Sequence, residues 1–88
     1  MIECYLKIEN RLGLHARPAS LFVQTTNRFK SRIRVLKDSL EVDGKSIMGL
    51  LMLAAPMGTN LRVIAEGDDE QAAVDSLKKL FASKFGEN

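Results

Sequence analysis

The first residues of the chain alternate between apolar and polar side chains. Every second residue from 2 to 8 is apolar, and the residues between them are polar or aromatic. The apolar members are Ile2, Cys4, Leu6 and Ile8. This period of two predicts a β-strand with one buried face.

Three later segments show the same period over shorter lengths. They lie at residues 32–36, 40–43 and about 60–66, and a turn at Asp38 and Ser39 separates the first two. Their apolar members are Ile33, Val35, Leu40, Val42, Leu61, Val63 and Ala65. Each segment therefore predicts a strand with one face on the core.

Between the first two strands the apolar spacing becomes helical. The helical positions after Pro18 are Ala19, Phe22, Val23, Thr26 and Phe29 or Lys30. Proline is tolerated in the first turn of a helix but not further in, so we expect this helix to begin near residues 15–16. A second, shorter helix is expected over roughly 47–53. Ser46 is a good N-cap for it, and it ends before Pro56.

A third helix is predicted after the fourth strand. Acidic residues lie at its start and lysines near its end, as the helix dipole favours. The acidic residues are Asp68, Asp69 and Glu70, and the lysines are Lys78, Lys79 and Lys84. The expected buried stripe is Ala73, Leu77, Leu80, Phe81 and Lys84 or Phe85. Gly86 is the expected stop signal.

The predicted order is β-α-β-β-α-β-α. With 88 residues, the chain suits one domain over residues 1–88. Few short strands and helices long enough to cover one sheet face predict an α+β, two-layer sandwich with mostly antiparallel pairing.

Composition changes this picture little. The formal net charge of +2 is too small to indicate an acidic partner, although residues 28–34 form a local basic run. The single Cys4 cannot form an intramolecular disulfide, and no signal-peptide pattern is present. The longest apolar run, at residues 47–57, is far shorter than the ~20 residues of a membrane helix. We therefore expect a cytoplasmic protein that does not insert into membranes.

The only histidine, His15, lies at the expected start of the first helix. The first backbone N–H groups of a helix have no intrahelical partner and carry the positive end of its dipole. Arg17 is close enough to address the same anion, and Gly13 permits a tight approach of the chain. The backbone amides of Ala16 and Arg17, together with the guanidinium, would bind phosphate. The pattern indicates a nucleophilic imidazole that accepts a phosphoryl group.

Other chemistry at His15 has little support in the sequence. One histidine and one cysteine do not make a metal site, so we expect no metal and no cofactor. No serine and acid stand at a spacing that suggests a triad, and the chain has no glycine-rich nucleotide loop. Another protein must therefore present the phosphoryl donor, which is typical of a carrier and not of a self-sufficient enzyme.

Three motifs resemble the HPr family, the histidine-containing phosphocarriers of the phosphoenolpyruvate-dependent phosphotransferase system. They are "GLHARPA" at 13–19, "KSIMG" at 45–49 and "AEGDDEQAAV" at 65–74. The resemblance runs essentially from end to end. It implies an open-faced sandwich, with a four-stranded antiparallel sheet covered on one face by three helices.

The resemblance also implies roles for individual residues. His15 matches the histidine that phospho-enzyme I phosphorylates at Nδ1 and that passes the phosphoryl group to EIIA domains. Arg17 matches the arginine beside that phosphate. Ser46 matches a regulatory site that an ATP-dependent HPr kinase/phosphorylase modifies in many bacteria.

The short helix is apolar on too many sides to be wholly buried. Leu50 and Leu53 are expected in the core, whereas other side chains suit a docking patch beside the histidine. The expected docking residues are Ala16, Ser20, Ile47, Met48 and Leu51.

Two alternatives are also compatible with parts of the sequence. Ala54 stands where many HPr proteins have glycine, and the segments "LLML" and "LFASKFGEN" resemble the nitrogen-related NPr branch, which regulates instead of feeding sugar uptake. A small nucleic-acid-binding domain has a similar element order, but the strands at 32–36 and 60–66 lack the aromatic residues that stack bases. We expect a monomer that binds no nucleic acid.

Overall fold

A computed structural model describes residues 1–87 of the chain. Its strands are β1 (Ile2–Lys7), β2 (Arg32–Lys37), β3 (Leu40–Asp43) and β4 (Asn60–Glu66). Its helices are α1 (Ala16–Thr26), α2 (Ile47–Met52) and α3 (Glu70–Ala82), followed by a short turn at Lys84–Gly86. The predicted order and the α+β open-faced sandwich are confirmed.

The strands form one antiparallel sheet in the order β1-β4-β2-β3. One row of paired residues crosses all four strands, from Cys4 through Val63 and Val35 to Val42. Because side chains alternate along each strand, this apolar row faces the helices and the neighbouring rows face outward. The alternation predicted from the sequence is therefore the alternation of the two sheet faces, except at the start of β3, where Leu40 is 42% exposed and not in the core.

The core lies between the helices and the inner face of the sheet. Phe22 on α1 meets Phe81 on α3 edge to face, with ring centroids 6.0 Å apart. Leu50 and Leu53 are buried, as predicted. The largest fully buried side chains come from both layers: Phe22, Phe85, Ile8, Ile33, Leu50, Leu53, Leu61, Leu77, Val35, Val63 and Val74.

The predicted end of the third helix is wrong. The helix ends at Ala82, four residues before Gly86, and the chain then turns with positive φ at Lys84 (55°), Phe85 (56°) and Gly86 (70°). Phe85 is nonetheless buried, with its ring 4.8 Å from that of Phe81. The apolar spacing predicts Phe85 as part of the buried stripe of the helix, but its side chain reaches the core from a left-handed turn after the helix.

Within residues 1–87, none of the helices is both long and apolar enough to cross a membrane.

Candidate functional site

The loop before α1 fixes where the imidazole lies. Gly13 has φ +70°, and a Cβ there would lie 2.6 Å from the carbonyl oxygen of Ala55. The amide of Leu14 donates to the same oxygen at 2.9 Å, and the Leu14 side chain is buried. The close approach that the sequence predicts for Gly13 is therefore present, and it holds the chain against Ala55 just before His15.

His15 is the N-cap residue of α1. Its backbone is extended (φ −85°, ψ −169°), and its carbonyl accepts the first helical hydrogen bond, from Ala19 N at 3.0 Å. The Ala16 and Arg17 amides have no partner within the helix because they belong to its first turn, and Pro18, the third helical residue, has no N–H. The predicted helix start is confirmed.

The side chain of His15 does not cap the helix. Its Nε2 lies 2.8 Å from Oε1 of Glu87, and the side chain is 36% exposed. Among residues 1–87, no hydrogen bond involves its Nδ1. Among these residues the ring is thus hydrogen-bonded at Nε2 and not at Nδ1.

Glu87 connects the residues of the site. Its Oε1 also accepts from Nδ2 of Asn10 at 2.8 Å, and its Oε2 faces Nη1 of Arg17 at 3.2 Å. The hydrogen bond with His15, and after it that with Asn10, hold the pKa of the Glu87 carboxyl below its usual range. The carboxylate is therefore ionised at neutral pH.

The sequence analysis missed both Asn10 and Glu87. Glu87 is 72 residues from its partner His15, so no local motif relates the two. Asn10 is fully buried, and its Nδ2 also donates to the carbonyl of Gly13 at 2.7 Å. A buried asparagine in a loop has no periodic signature in the sequence.

Arg17 lies beside the histidine, as predicted. Its Nη1 donates to the carbonyl of Phe85 at 3.1 Å as well as to Glu87. The side chain is 58% exposed. His15 and Arg17 thus share one carboxylate.

A shallow cleft of about 240 Å³ lies next to the imidazole. It is lined by Leu12, Leu14, His15 and the segment 54–56 that follows α2. Ala54 in this segment has φ +48°, a conformation that favours glycine. Ala54, which stands where many HPr proteins have glycine, therefore lies in a backbone conformation that suits glycine.

Ser46 is the N-cap of α2, as predicted. Its Oγ accepts a hydrogen bond from Gly49 N at 3.0 Å, and the residue is half-buried. It makes no hydrogen bond with His15, Arg17 or Glu87. Ser46 therefore lies outside the carboxylate-centred cluster, at the start of a different helix.

The exposed side of α2 is apolar. Ile47, Met48 and Leu51 are 41%, 70% and 37% exposed, as expected for docking residues. Met52 is 66% exposed and belongs to the same surface, although the sequence analysis did not include it. On α1, Ala16 is exposed and Ser20 is half-buried. Because α1 and α2 pack together, the two sets lie on adjoining helices.

The basic run at residues 28–34 has local structural partners. Arg28 lies over the Phe29 ring at 5.5 Å, and Arg34 pairs with Glu41 at 3.5 Å. The one aromatic side chain on the strands is Tyr5, on an edge strand. This face offers no stacking surface for bases on the two central strands.

An open-faced α+β sandwich with its single histidine at a helix N-terminus is the arrangement expected of a small phosphoryl-carrier domain. A family model described as the PTS HPr component phosphorylation site matches residues 2–83. The chain belongs to the HPr family, the phosphocarriers of the phosphoenolpyruvate-dependent phosphotransferase system.

Relatives and solved structures agree with this assignment. The phosphocarrier protein HPr of Treponema pallidum is 44% identical over 99% of each chain. The HPr-like protein Crh of Halalkalibacterium halodurans is 48% identical over 88% of this chain and 92% of its own. The structure of HPr-C-His from Thermoanaerobacter tengcongensis superposes with a TM-score of 0.96, at 50% identity over 100% and 99% of the chains. A structure described as an HPr dimer from the same organism covers 99% and 100% of the chains at the same identity, with a TM-score of 0.79.

Proposed function

We propose that His15 is the phosphoryl acceptor, that phospho-enzyme I is its donor and that EIIA domains are its acceptors. The observation that carries this proposal is the position of the imidazole at the N-cap of α1, where Nε2 contacts Glu87 and Nδ1 makes no hydrogen bond within residues 1–87. A phosphoryl group on Nδ1 would meet the positive end of the helix dipole and the amides of Ala16 and Arg17.

Arg17 has the role of steadying the phosphate. Its guanidinium already binds two oxygen acceptors, the Phe85 carbonyl and the Glu87 carboxylate, and it is exposed enough to exchange them for phosphoryl oxygens. A doubly charged phosphoryl group is a stronger partner for a guanidinium than a carbonyl. Binding by exposed groups stays modest, so the phosphoryl group remains transferable.

Partner proteins dock, in this proposal, on the surface that α1 and α2 share. We assign to it Ala16, Ser20, Ile47, Met48 and Leu51, and Met52 joins them because it is exposed on the same helix. Methionine and other flexible apolar side chains adapt to several partners, which a carrier between two proteins requires.

Ser46 is a regulatory phosphorylation site in this proposal. Its modification by an ATP-dependent HPr kinase/phosphorylase would place a charge of about −1.5 to −2 at the start of α2, next to the docking side chains. The helix N-terminus favours that charge, whereas an enzyme surface that binds the apolar patch does not. Phosphorylated Ser46 would therefore weaken binding of enzyme I.

We assign the chain to the sugar-transport branch, because relatives described as phosphocarrier protein HPr match it over 99% of its length, and the nitrogen-related NPr branch is the alternative. The protein acts in the cytoplasm, without a nucleic-acid partner or cofactor.

The working form is a monomer, although a dimer is described for the Thermoanaerobacter protein. Light scattering at micromolar concentration measures the oligomeric state, and a stable dimer there would contradict this assignment.

Incubation with enzyme I and labelled phosphoenolpyruvate tests the acceptor. We expect one acid-labile phosphate on the wild-type chain, its onward transfer to an EIIA domain, and no label on His15→Ala. For Arg17→Ala we expect slower transfer with an intact fold, and Arg11→Ala is the matched control, because Arg11 is an exposed arginine of the same loop. Label that persists on His15→Ala would refute the assignment.

A further inference from the structure

The Glu87 carboxylate receives three side-chain donors from a segment far away in the chain. Oε1 accepts from both His15 Nε2 and Asn10 Nδ2, each at 2.8 Å, and Oε2 lies 3.2 Å from Arg17 Nη1. Two of these donors belong to the residues to which we assign phosphoryl transfer. Within residues 1–87, the carboxylate is thus the one side-chain group that is hydrogen-bonded to both of them.

The position of Glu87 is fixed by the core and not by its own charge alone. The turn before it is left-handed at Lys84 and Phe85, a conformation that costs non-glycine residues roughly 1–2 kcal/mol each. The turn is held because the Phe85 ring is buried against Phe81. The buried ring therefore places the carboxylate beside His15.

Asn10 fixes the carboxylate from the other side. Its side chain is fully buried, and its Nδ2 is also anchored to the carbonyl of Gly13 at 2.7 Å. The loop that positions His15 and the residue that contacts its ring are therefore connected through one amide group.

The contact decides which ring nitrogen carries the hydrogen. An ionised carboxylate only accepts hydrogen bonds, and the pKa of the Glu87 carboxyl is held low by the hydrogen bond with His15. Nε2 of a neutral imidazole must then carry the hydrogen, which leaves the lone pair on Nδ1. The nucleophilic nitrogen is thus the one that faces away from Glu87.

We propose that Glu87 is a positioning residue for phosphoryl transfer, which holds His15 in the Nε2–H tautomer and faces the positive charge that the ring gains during the transfer. This inference rests on the proposed role of His15 as acceptor.

The step is balanced without a proton transfer. The Nδ1 lone pair forms the new N–P bond, the bond between phosphorus and the donor atom of phospho-enzyme I breaks, and its electron pair returns to that donor atom. The ring gains positive charge while Nε2 keeps its hydrogen. A carboxylate bonded to Nε2–H stabilises this cation, as the aspartate of a catalytic triad stabilises its imidazolium.

Two measurements test the proposal. At a pH where the His15 ring is neutral, the ¹⁵N shifts of the unphosphorylated protein should show the hydrogen on Nε2. In Glu87→Gln the amide can either accept or donate, so we expect a mixture of tautomers and phosphorylation by enzyme I slower by about tenfold. Glu9→Gln is the matched control, because Glu9 is exposed, lies beside Asn10 and loses the same charge.

The outcomes separate this inference from the proposed function. If His15→Ala takes up no label but enzyme I phosphorylates Glu87→Gln as fast as Glu9→Gln, the role of Glu87 is overturned and the proposed function stands. A wild-type ring with its hydrogen on Nδ1 overturns it too, whether or not the variant folds. Label retained in His15→Ala overturns the proposed function itself.

Discussion

Ala54 and Phe85 have backbone conformations that residues other than glycine rarely adopt. Phe85 (φ 56°) is held there by its buried ring, which packs against Phe81. Ala54 (φ 48°) is exposed, and its methyl group has no comparable burial to hold it. The first strain places a functional group, whereas the second only lowers stability.

Ala54→Gly should therefore stabilise the protein. Glycine removes a left-handed strain of about 1–2 kcal/mol and adds an entropy cost of about 0.5–1 kcal/mol, so we expect unfolding to cost about 0.5–1 kcal/mol more. Urea denaturation measures this change. Ala72→Gly is the control, because Ala72 is exposed within α3, and the same substitution there should destabilise by about 1 kcal/mol. A loss of stability at position 54 would contradict the account.

The side chains of the three N-cap residues make different contacts. Ser46 caps α2 with its own hydroxyl, whereas His15 leaves the amides of α1 free and directs its ring to Glu87. Asp69 directs its carboxylate to the loop before β2, where it accepts from Lys30 N at 2.8 Å and Ser31 N at 2.9 Å. A good cap in the sequence therefore indicates a helix start but not which groups the side chain contacts.

Asp69 should make stability depend on pH. Its hydrogen bond with Ser31, and after it that with the Lys30 amide, lower the pKa of the carboxyl in the folded state. A lowered folded pKa adds stability above the unfolded value, near 3.8, and this stability is lost as pH falls through the folded pKa. Asp69→Asn should thus be less stable than wild type at pH 7, with the difference shrinking in acid.

Urea unfolding at neutral and acidic pH measures this difference. Asp68→Asn is the control, because Asp68 is exposed and makes no side-chain hydrogen bond within residues 1–87. A difference between wild type and Asp69→Asn that stays constant down to strong acid would exclude this role of Asp69.

At α2, a charge at the N-cap should weaken docking. We expect the KM of enzyme I for Ser46→Asp to be about tenfold higher than for the wild type. A charge that is buried at an interface without a partner, or next to a charge of the same sign, opposes binding. Ser46→Asn keeps a good N-cap and a similar size without the charge, so it should behave like wild type. Equal KM values for the two variants would rule out the electrostatic explanation.

For the molecule as a whole, the sequence predicts the layers but not how its distant parts meet. Period-two and helical spacing are local, and they predicted four strands, three helices and the N-cap position of His15. Strand order is set by pairing between distant segments, which local periodicity does not encode. The contact of Glu87 with His15 spans 72 residues and depends on a left-handed turn at Phe85, a residue that apolar spacing alone assigns to a helix.

The position of the phosphoryl group on the phosphorylated protein tests the central claim most directly. After phosphorylation by enzyme I and phosphoenolpyruvate, ³¹P and ¹⁵N spectra of the chain identify the atom bonded to phosphorus. We expect a single phosphoryl group on Nδ1 of His15, with Nε2 still protonated. A phosphoryl group on Nε2, or on any residue other than His15, would contradict the proposed role of His15.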